Sequence, residues 1–255
     1  MSGAVCYERV RESLEQLKLD AALAELDSVL EQGQKNDLLP VEVLDELLQR
    51  ERALRFERRV KTNFKLAGLP VVKRLEDFDY DAQPEVPKRT VEELSTLRFV
   101  HHGENVLLLG PCGVGKTHLA VGLAVRAIEQ GHRVYFLSLH DLVTKARVAR
   151  ERNRTHALMR TVARADVFVL DELGFLPLQP EDATFLFEAI NKRYQQQKPT
   201  IITSNKSFGQ WGEIFPDSVL ATAILDRLLH RANTLNIRGE SYRLRNRRKA
   251  GIQSA

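Results

Sequence analysis

The residues from Gly110 to Thr117 have the types and the spacing to hold a polyphosphate. They read Gly110-Pro111-Cys112-Gly113-Val114-Gly115-Lys116-Thr117, followed by His118, and fit the GxxxxGKT pattern of a phosphate-binding loop. Glycines at these places let backbone N–H groups wrap phosphate oxygens, and a helix starting at the lysine adds the positive end of its dipole. Lys116 is expected to reach the β- and γ-phosphates of ATP, and the Thr117 hydroxyl to serve Mg²⁺. A chance glycine-rich turn would need no particular flanks. Here Asn105-Val-Leu-Leu-Leu109 precedes the loop as an apolar run suited to a buried strand, and residues 118–128 follow it with apolar side chains at helical spacing.

A second apolar run, Val167-Phe-Val-Leu170, ends in Asp171-Glu172. An aspartate at the carboxyl end of such a strand faces the phosphate loop and can hold the Mg²⁺ shell. Glu172 is then placed to orient a water and take its proton for attack on the γ-phosphate. A third run, Thr200-Ile-Ile-Thr203, leads into Ser204-Asn205. The Asn205 amide can hydrogen-bond the attacking water or the γ-phosphate, although Ser-Asn also suits a plain Asx turn.

These residues need a scaffold, and the order of apolar patterns supplies one. From Asn105 the chain alternates strand and helix, with strands at 105–109, 133–137, 167–170, 200–203 and 234–237. Gly131 ends the first helix, Asn153 breaks the basic stretch 140–164 into two, Pro180 opens another, and Asp217 caps the last. This is an α/β pattern: a five-stranded parallel sheet between helices. Residues 1–67 read as a small all-helical domain, with leucines at three- and four-residue spacing, a break at Gly33–Asp37 and a long helix from Pro40 stopped by Gly68-Leu-Pro70. Residues 68–89, with prolines at 84 and 87, read as a connector, and 90–255 as the ATPase domain with a basic tail. Thr90-Val-Glu-Glu93 fits a capping box for a short helix running to about Phe99, and His101-His102-Gly103 reads as a turn rather than a metal site.

The net charge is only +4, but it is unevenly spread. Residues 145–164 carry +6 and residues 238–249 carry +5, which leaves −7 for the rest. Lys145, Arg147, Arg150, Arg152 and Arg154 recur too densely for ordinary pairing along a helix, and suit a phosphate backbone. A solvated charge run is the plainer alternative. For Arg50–Lys65 that plainer reading is preferred, because Glu51 and Glu57 partly neutralise the helix. No apolar run is long enough to span a bilayer. The N-terminus lacks the pattern of a signal peptide. The two cysteines, Cys6 and Cys112, read as free thiols in a reducing cytoplasm.

The site residues together resemble the AAA+ ATPases. Four longer strings make the likeness narrower: Asp171-Glu-Leu-Gly-Phe, Thr203-Ser-Asn-Lys-Ser-Phe-Gly-Gln-Trp-Gly212, Ser218-Val-Leu-Ala-Thr-Ala-Ile-Leu-Asp-Arg-Leu-Leu-His230 and Gly239-Glu-Ser-Tyr-Arg-Leu-Arg245. They are similar to IstB-type proteins, the ATP-binding helpers of insertion-sequence transposases, and the likeness covers about residues 70–248. The resemblance implies an ATP- and Mg²⁺-dependent homo-oligomer that binds and remodels double-stranded DNA and recruits the transposase. It implies that an arginine near the end of the last helix, Arg227 with Arg231 as rival, enters a neighbouring subunit's ATP site. It also implies that the helices carrying Lys145 to Arg154 face a DNA channel. Only 18 residues follow Ile237, too few for the helical lid of most AAA+ proteins, so the connector, through Phe78 or Tyr80, is expected to complete the adenine pocket. Two rivals remain open: a replicative helicase loader, and a nucleotide-gated DNA scaffold with little hydrolysis. A small-molecule kinase would need a lid or substrate insertion, and none is visible.

Overall fold

The computed structural model describes residues 3–242. The chain divides into two compact units, with the boundary between Thr62 and Asn63, close to the end expected for the helical domain. The first unit comprises α1 (Gly3–Gln16), α2 (Asp20–Lys35) and most of α3 (Pro40–Leu66). Its core is small: Ala22, Leu26, Val29 and Leu47, with Tyr7, Leu14, Leu19 and Val43 packed around them. Gly33 lies inside α2 rather than in a break. No side chain from Leu19 caps this helix. The buried carboxylate of Glu51 does so instead, accepting from the N–H groups of Ala21 and Ala22. Part of the basic run of α3 is paired: Arg50 with Glu25 and Glu46, Arg55 with Glu51, and Arg58 with Asp20.

The second unit is the α/β body. Residues 68–87 are not a loose connector, since Leu75, Phe78, Ala82 and Val86 are buried in it and residues 75–77 form a 3-10 turn against the helix after the phosphate loop. The Thr90 capping box does not form. Pro87 is the N-cap, so α4 runs Lys88–Ser95 and Thr90 already lies in its first turn, its N–H bonded to Pro87 O. His101 and His102 close a further short helix, α5 (Arg98–His102), capped by Gly103 at φ +66°.

Then come β1 (Asn105–Leu109), α6 (Lys116–Glu129), β2 (Val134–Ser138), α7 (Leu139–Glu151), α8 (Thr155–Arg164), β3 (Val167–Leu173), α9 (Pro180–Gln195), β4 (Thr200–Ser204), α10 (Ser218–Leu229) and β5 (Ala232–Asn236). All four pairings are parallel, in the order β2-β3-β4-β1-β5. β1 is therefore internal, and the chain leaves it for the far edge. That makes a crevice at the carboxyl ends of β1, β3 and β4, where α/β proteins bind ligands. Every residue of β1 and of β4 is buried, as expected for strands covered on both faces. Phe168 and Leu170 pack into the core with Leu142, Val162, Leu186, Ile190 and Ile224, while Val167 and Val169 point to the opposite face. Asp217 caps α10 as expected, accepting from Val219 N–H.

One buried charge ties the far ends of these elements together. Arg193 of α9, 1% exposed, donates to the carbonyls of Val162, Ala165 and Pro199 and to the Thr200 hydroxyl, and its guanidinium lies over the Phe168 ring. Burial pulls its pKa down to about 9, which leaves it charged at neutral pH. Acceptors at the end of α8 and the start of β4 are thus satisfied by one side chain.

Candidate functional site

The phosphate loop runs from the end of β1 into α6. Lys116, almost fully buried, turns its ammonium back onto the loop and donates to Gly110 O and Pro111 O, both at 2.7 Å. This holds the loop open as a ring with a cation at its centre. Gly115 sits at φ +96°, and a Cβ there would lie 2.6 Å from the Phe78 ring. Glycine is thus required by both conformation and space.

Asp171 is buried at the carboxyl half of β3. The Thr117 hydroxyl donates to it at 3.0 and 3.1 Å, so the two residues expected to serve Mg²⁺ are in contact. Glu172, next along, is exposed and adopts φ +63°, unusual for a non-glycine residue. Its N–H donates to the Thr203 hydroxyl at 2.9 Å. Asn205 follows β4, and its Oδ1 is buried with no hydrogen-bond partner among the described residues. A buried acceptor without a donor is costly, and a water or substrate donor would relieve it.

Most of these groups, though not Asp171, border one cavity of about 640 Å³. Gly113, Gly115, Lys116, Thr117, His118, Glu172, Thr203 and Asn205 line it, as does Cys112, whose thiol is free. His118 donates from Nε2 to Arg74 O at 2.9 Å and packs edge-on against Phe78. Of the two aromatic residues expected at the adenine, Phe78 lines the cavity and Tyr80 does not.

A segment that sequence reasoning missed also closes this cavity. After β5, Ile237 N–H bonds to Leu109 O, Gln83 Nε2 donates to Glu240 O, and Tyr242 N–H bonds to Gly113 O. A Cβ on Gly113, which has φ +83°, would lie 2.1 Å from the Ser241 hydroxyl. The strap 237–242 thus crosses the phosphate loop and brings Tyr242 to the cavity wall. Gln83 and Glu240 are 157 residues apart, and no local pattern joins them.

The remaining expected residues lie elsewhere. Arg227, in the last turn of α10, donates to Asn191 Oδ1 and Ala223 O and stacks on Phe187 with its guanidinium 4.9 Å from the ring centre. It lines a smaller cavity of about 230 Å³ with Asn105, His230 and Arg231. Asn105 starts β1, so this cavity is at the opposite end of the sheet from the phosphate loop.

Of the five basic residues on α7 and after it, Lys145, Arg152 and Arg154 are exposed and form no ion pair among the described residues. Arg147 and Arg150 instead clasp Asp182 of α9, whose side chain is 1% exposed. Burial works to raise the Asp182 pKa, but the two arginines outweigh it and hold the carboxyl below its ordinary range. The basic tail residues Arg243–Lys249 lie outside the described residues.

Residues 12–250 match the model of the family described as IstB-like ATP binding protein. An ATP-binding protein of insertion sequence IS21 from Pseudomonas aeruginosa is 47% identical over 94% of this chain and 90% of its own length. One of insertion sequence IS5376 from Geobacillus stearothermophilus is 43% identical over 94% and 96%. Among solved structures, the DnaC helicase loader aligns with a TM-score of 0.51 and 27% identity over 59% of this chain and 89% of that one. DnaA from Aquifex aeolicus aligns at 0.57 and 18% identity, over 74% and 58%, which shows a shared fold. With this sheet order, this phosphate loop and these relatives, the chain belongs to the IstB-like ATP-binding proteins of insertion sequences, on the AAA+ fold.

Proposed function

We propose that this protein is an ATPase that handles double-stranded DNA for a transposase, using ATP binding to assemble on DNA and hydrolysis to let go. One observation carries the reading: Lys116, Thr117, Glu172, Thr203 and Asn205 line a single cavity, with Asp171 bonded to Thr117. Lys116 would exchange the loop carbonyls for phosphate oxygens. Asn205 Oδ1 would accept from the attacking water, and Glu172 would take its proton. Pro70, Val71, Phe78 and Tyr242 are among the cavity-lining residues available to the base.

The donor set fits Mg²⁺. Thr117 and Asp171 offer two hard oxygen ligands, and Mg²⁺ in such sites takes the rest from phosphates and water. It would supply charge neutralisation on the phosphates. Among the described residues no group of three or more His, Cys, Asp or Glu forms a cage for a metal, in line with a site completed by substrate.

The insertion-sequence relatives at 43–47% identity favour a transposase as partner over a replicative helicase. A helicase-loader reading keeps the same site and changes only the partner. Arg227 and Arg231 border the second cavity, away from their own phosphate loop, which supports a reading in which they would serve another copy's ATP site in an oligomer.

Of the five basic residues expected at DNA, Lys145, Arg152 and Arg154 are those with no ion pair among the described residues. Reversing all three to glutamate is expected to weaken duplex binding about equally on every sequence. It should also flatten the plot of log affinity against log salt by about 0.9 for each phosphate no longer neutralised. Fluorescence anisotropy over a range of salt concentrations checks this, and an unchanged slope moves the DNA path elsewhere. Arg147 and Arg150 are poor choices for this test, because reversing them would strand the buried Asp182.

A further inference from the structure

β3 and β4 do not run in simple register past the site. Leu170 pairs with Ile202, but the next pair is Leu173 with Ser204, so β3 holds one residue more than β4 across this interval. The extra residue makes a bulge at Asp171-Glu172, a device that re-aims side chains. It lets two adjacent acids serve one site, where regular alternation would send them to opposite faces of the sheet. The bulge costs something: Glu172 is forced to φ +63°, and neighbouring structure must hold it there.

Two hydroxyls of β4 do so. Thr203, 1% exposed, accepts from Glu172 N–H at 2.9 Å and donates to Asp171 Oδ1 at 2.5 Å. Ser204, fully buried, donates to Leu173 O at 2.6 Å. The polarity at Thr203 is fixed. A backbone N–H can only donate, so the hydroxyl must accept from Glu172, and its single proton is left for the carboxylate. One oxygen therefore sets both acids at once, and Asp171 takes two hydroxyl donors, Thr117 on the loop side and Thr203 on the sheet side. Asn205 is two residues further along the chain.

We propose that Thr203 is a positioning residue, whose hydroxyl fixes Asp171 toward Mg²⁺ and Glu172 toward water. This rests on the reading of those two acids given above. Thr203 is not expected to touch substrate chemistry itself. Thr203→Val keeps the size and branching and removes the hydroxyl, and Thr203→Ser keeps the hydroxyl.

The test pairs two readouts. In a fluorescent-ATP titration with EDTA, Thr203→Val should match the parent within about twofold. With Mg²⁺ it should lose at least threefold of the gain in affinity that Mg²⁺ gives the parent. In phosphate release its kcat should fall at least tenfold with KM changed by less than threefold, and Thr203→Ser should recover to within threefold of the parent on both readouts. A Thr203→Val protein with parent-like Mg²⁺ gain and kcat overturns the proposal, as does a stable Thr203→Ser protein that recovers neither. Should Thr203→Val not fold, Thr203→Cys, a weaker donor of similar size, replaces it; intermediate values support the proposal and parent-like values overturn it. Glu172→Gln is measured alongside. If it hydrolyses at the parent rate, the reading of the acids fails and the proposal falls with it. If it is slow while Thr203→Val is parent-like, the proposal alone fails.

Discussion

Glu172→Gln is expected to bind ATP and DNA as the parent does, and to hydrolyse ATP about 10²- to 10⁴-fold more slowly, the range for loss of a general base. The amide keeps the shape of the side chain and its backbone bond to Thr203, but cannot take the proton of the attacking water. Glu172 is exposed to the cavity, so the substitution should leave stability nearly unchanged. Single-turnover phosphate release with duplex DNA present is the measurement. A parent-like rate would take Glu172 out of the chemistry. A parent protein that itself barely turns over would instead favour the nucleotide-gated scaffold.

Arg227→Ala is expected to bind ATP normally yet hydrolyse it about 10³-fold or more slowly, as other arginine fingers do when removed. The motive is geometric. Among the described residues, those lining the cavity that holds the phosphate loop include Lys116 and Lys73 but no arginine. Arg227 and Arg231 lie together at the other end of the sheet, and in the proposed reading they would serve another copy. Mixing Arg227→Ala with Lys116→Ala should restore part of the activity, because some interfaces then join an intact pocket to an intact finger. An Arg227 needed only for its bonds to Asn191 and Ala223 would lower the unfolding temperature and show no complementation. In that case Arg231, exposed one helical turn on, is tested in the same way.

Much of the site could be read from the sequence because its parts are short and each sits at a strand end. GxxxxGKT after an apolar run, Asp-Glu after another and Ser-Asn after a third place themselves once the strands are found. The α7–α8 break at Asn153 was legible for a similar reason: the residue takes φ +54°, a conformation asparagine tolerates. What escaped depends on partners distant in sequence. By sequence Asp182 is an acid in a helix's first turn, and nothing local points to its hold on Arg147 and Arg150, 35 and 32 residues away. The roles of Thr203 and Tyr242 were hidden too, one behind a register shift between strands and the other behind a strap that returns to the loop. The Thr90 capping box does not form because the helix starts earlier, with Pro87 as its N-cap and Thr90 already inside the first turn.

In the proposed function, nucleotide at Lys116 controls the grip on DNA. The most direct test is a duplex-DNA anisotropy titration of the full chain without nucleotide, with ATP and Mg²⁺, and with ADP and Mg²⁺, repeated for Lys116→Ala. The parent should bind DNA at least tenfold more tightly with ATP than with ADP or alone, and Lys116→Ala should bind weakly and alike in all three. Equal DNA affinity in every nucleotide state of the parent, or an ATP-dependent gain that survives in a folded Lys116→Ala protein, would contradict it.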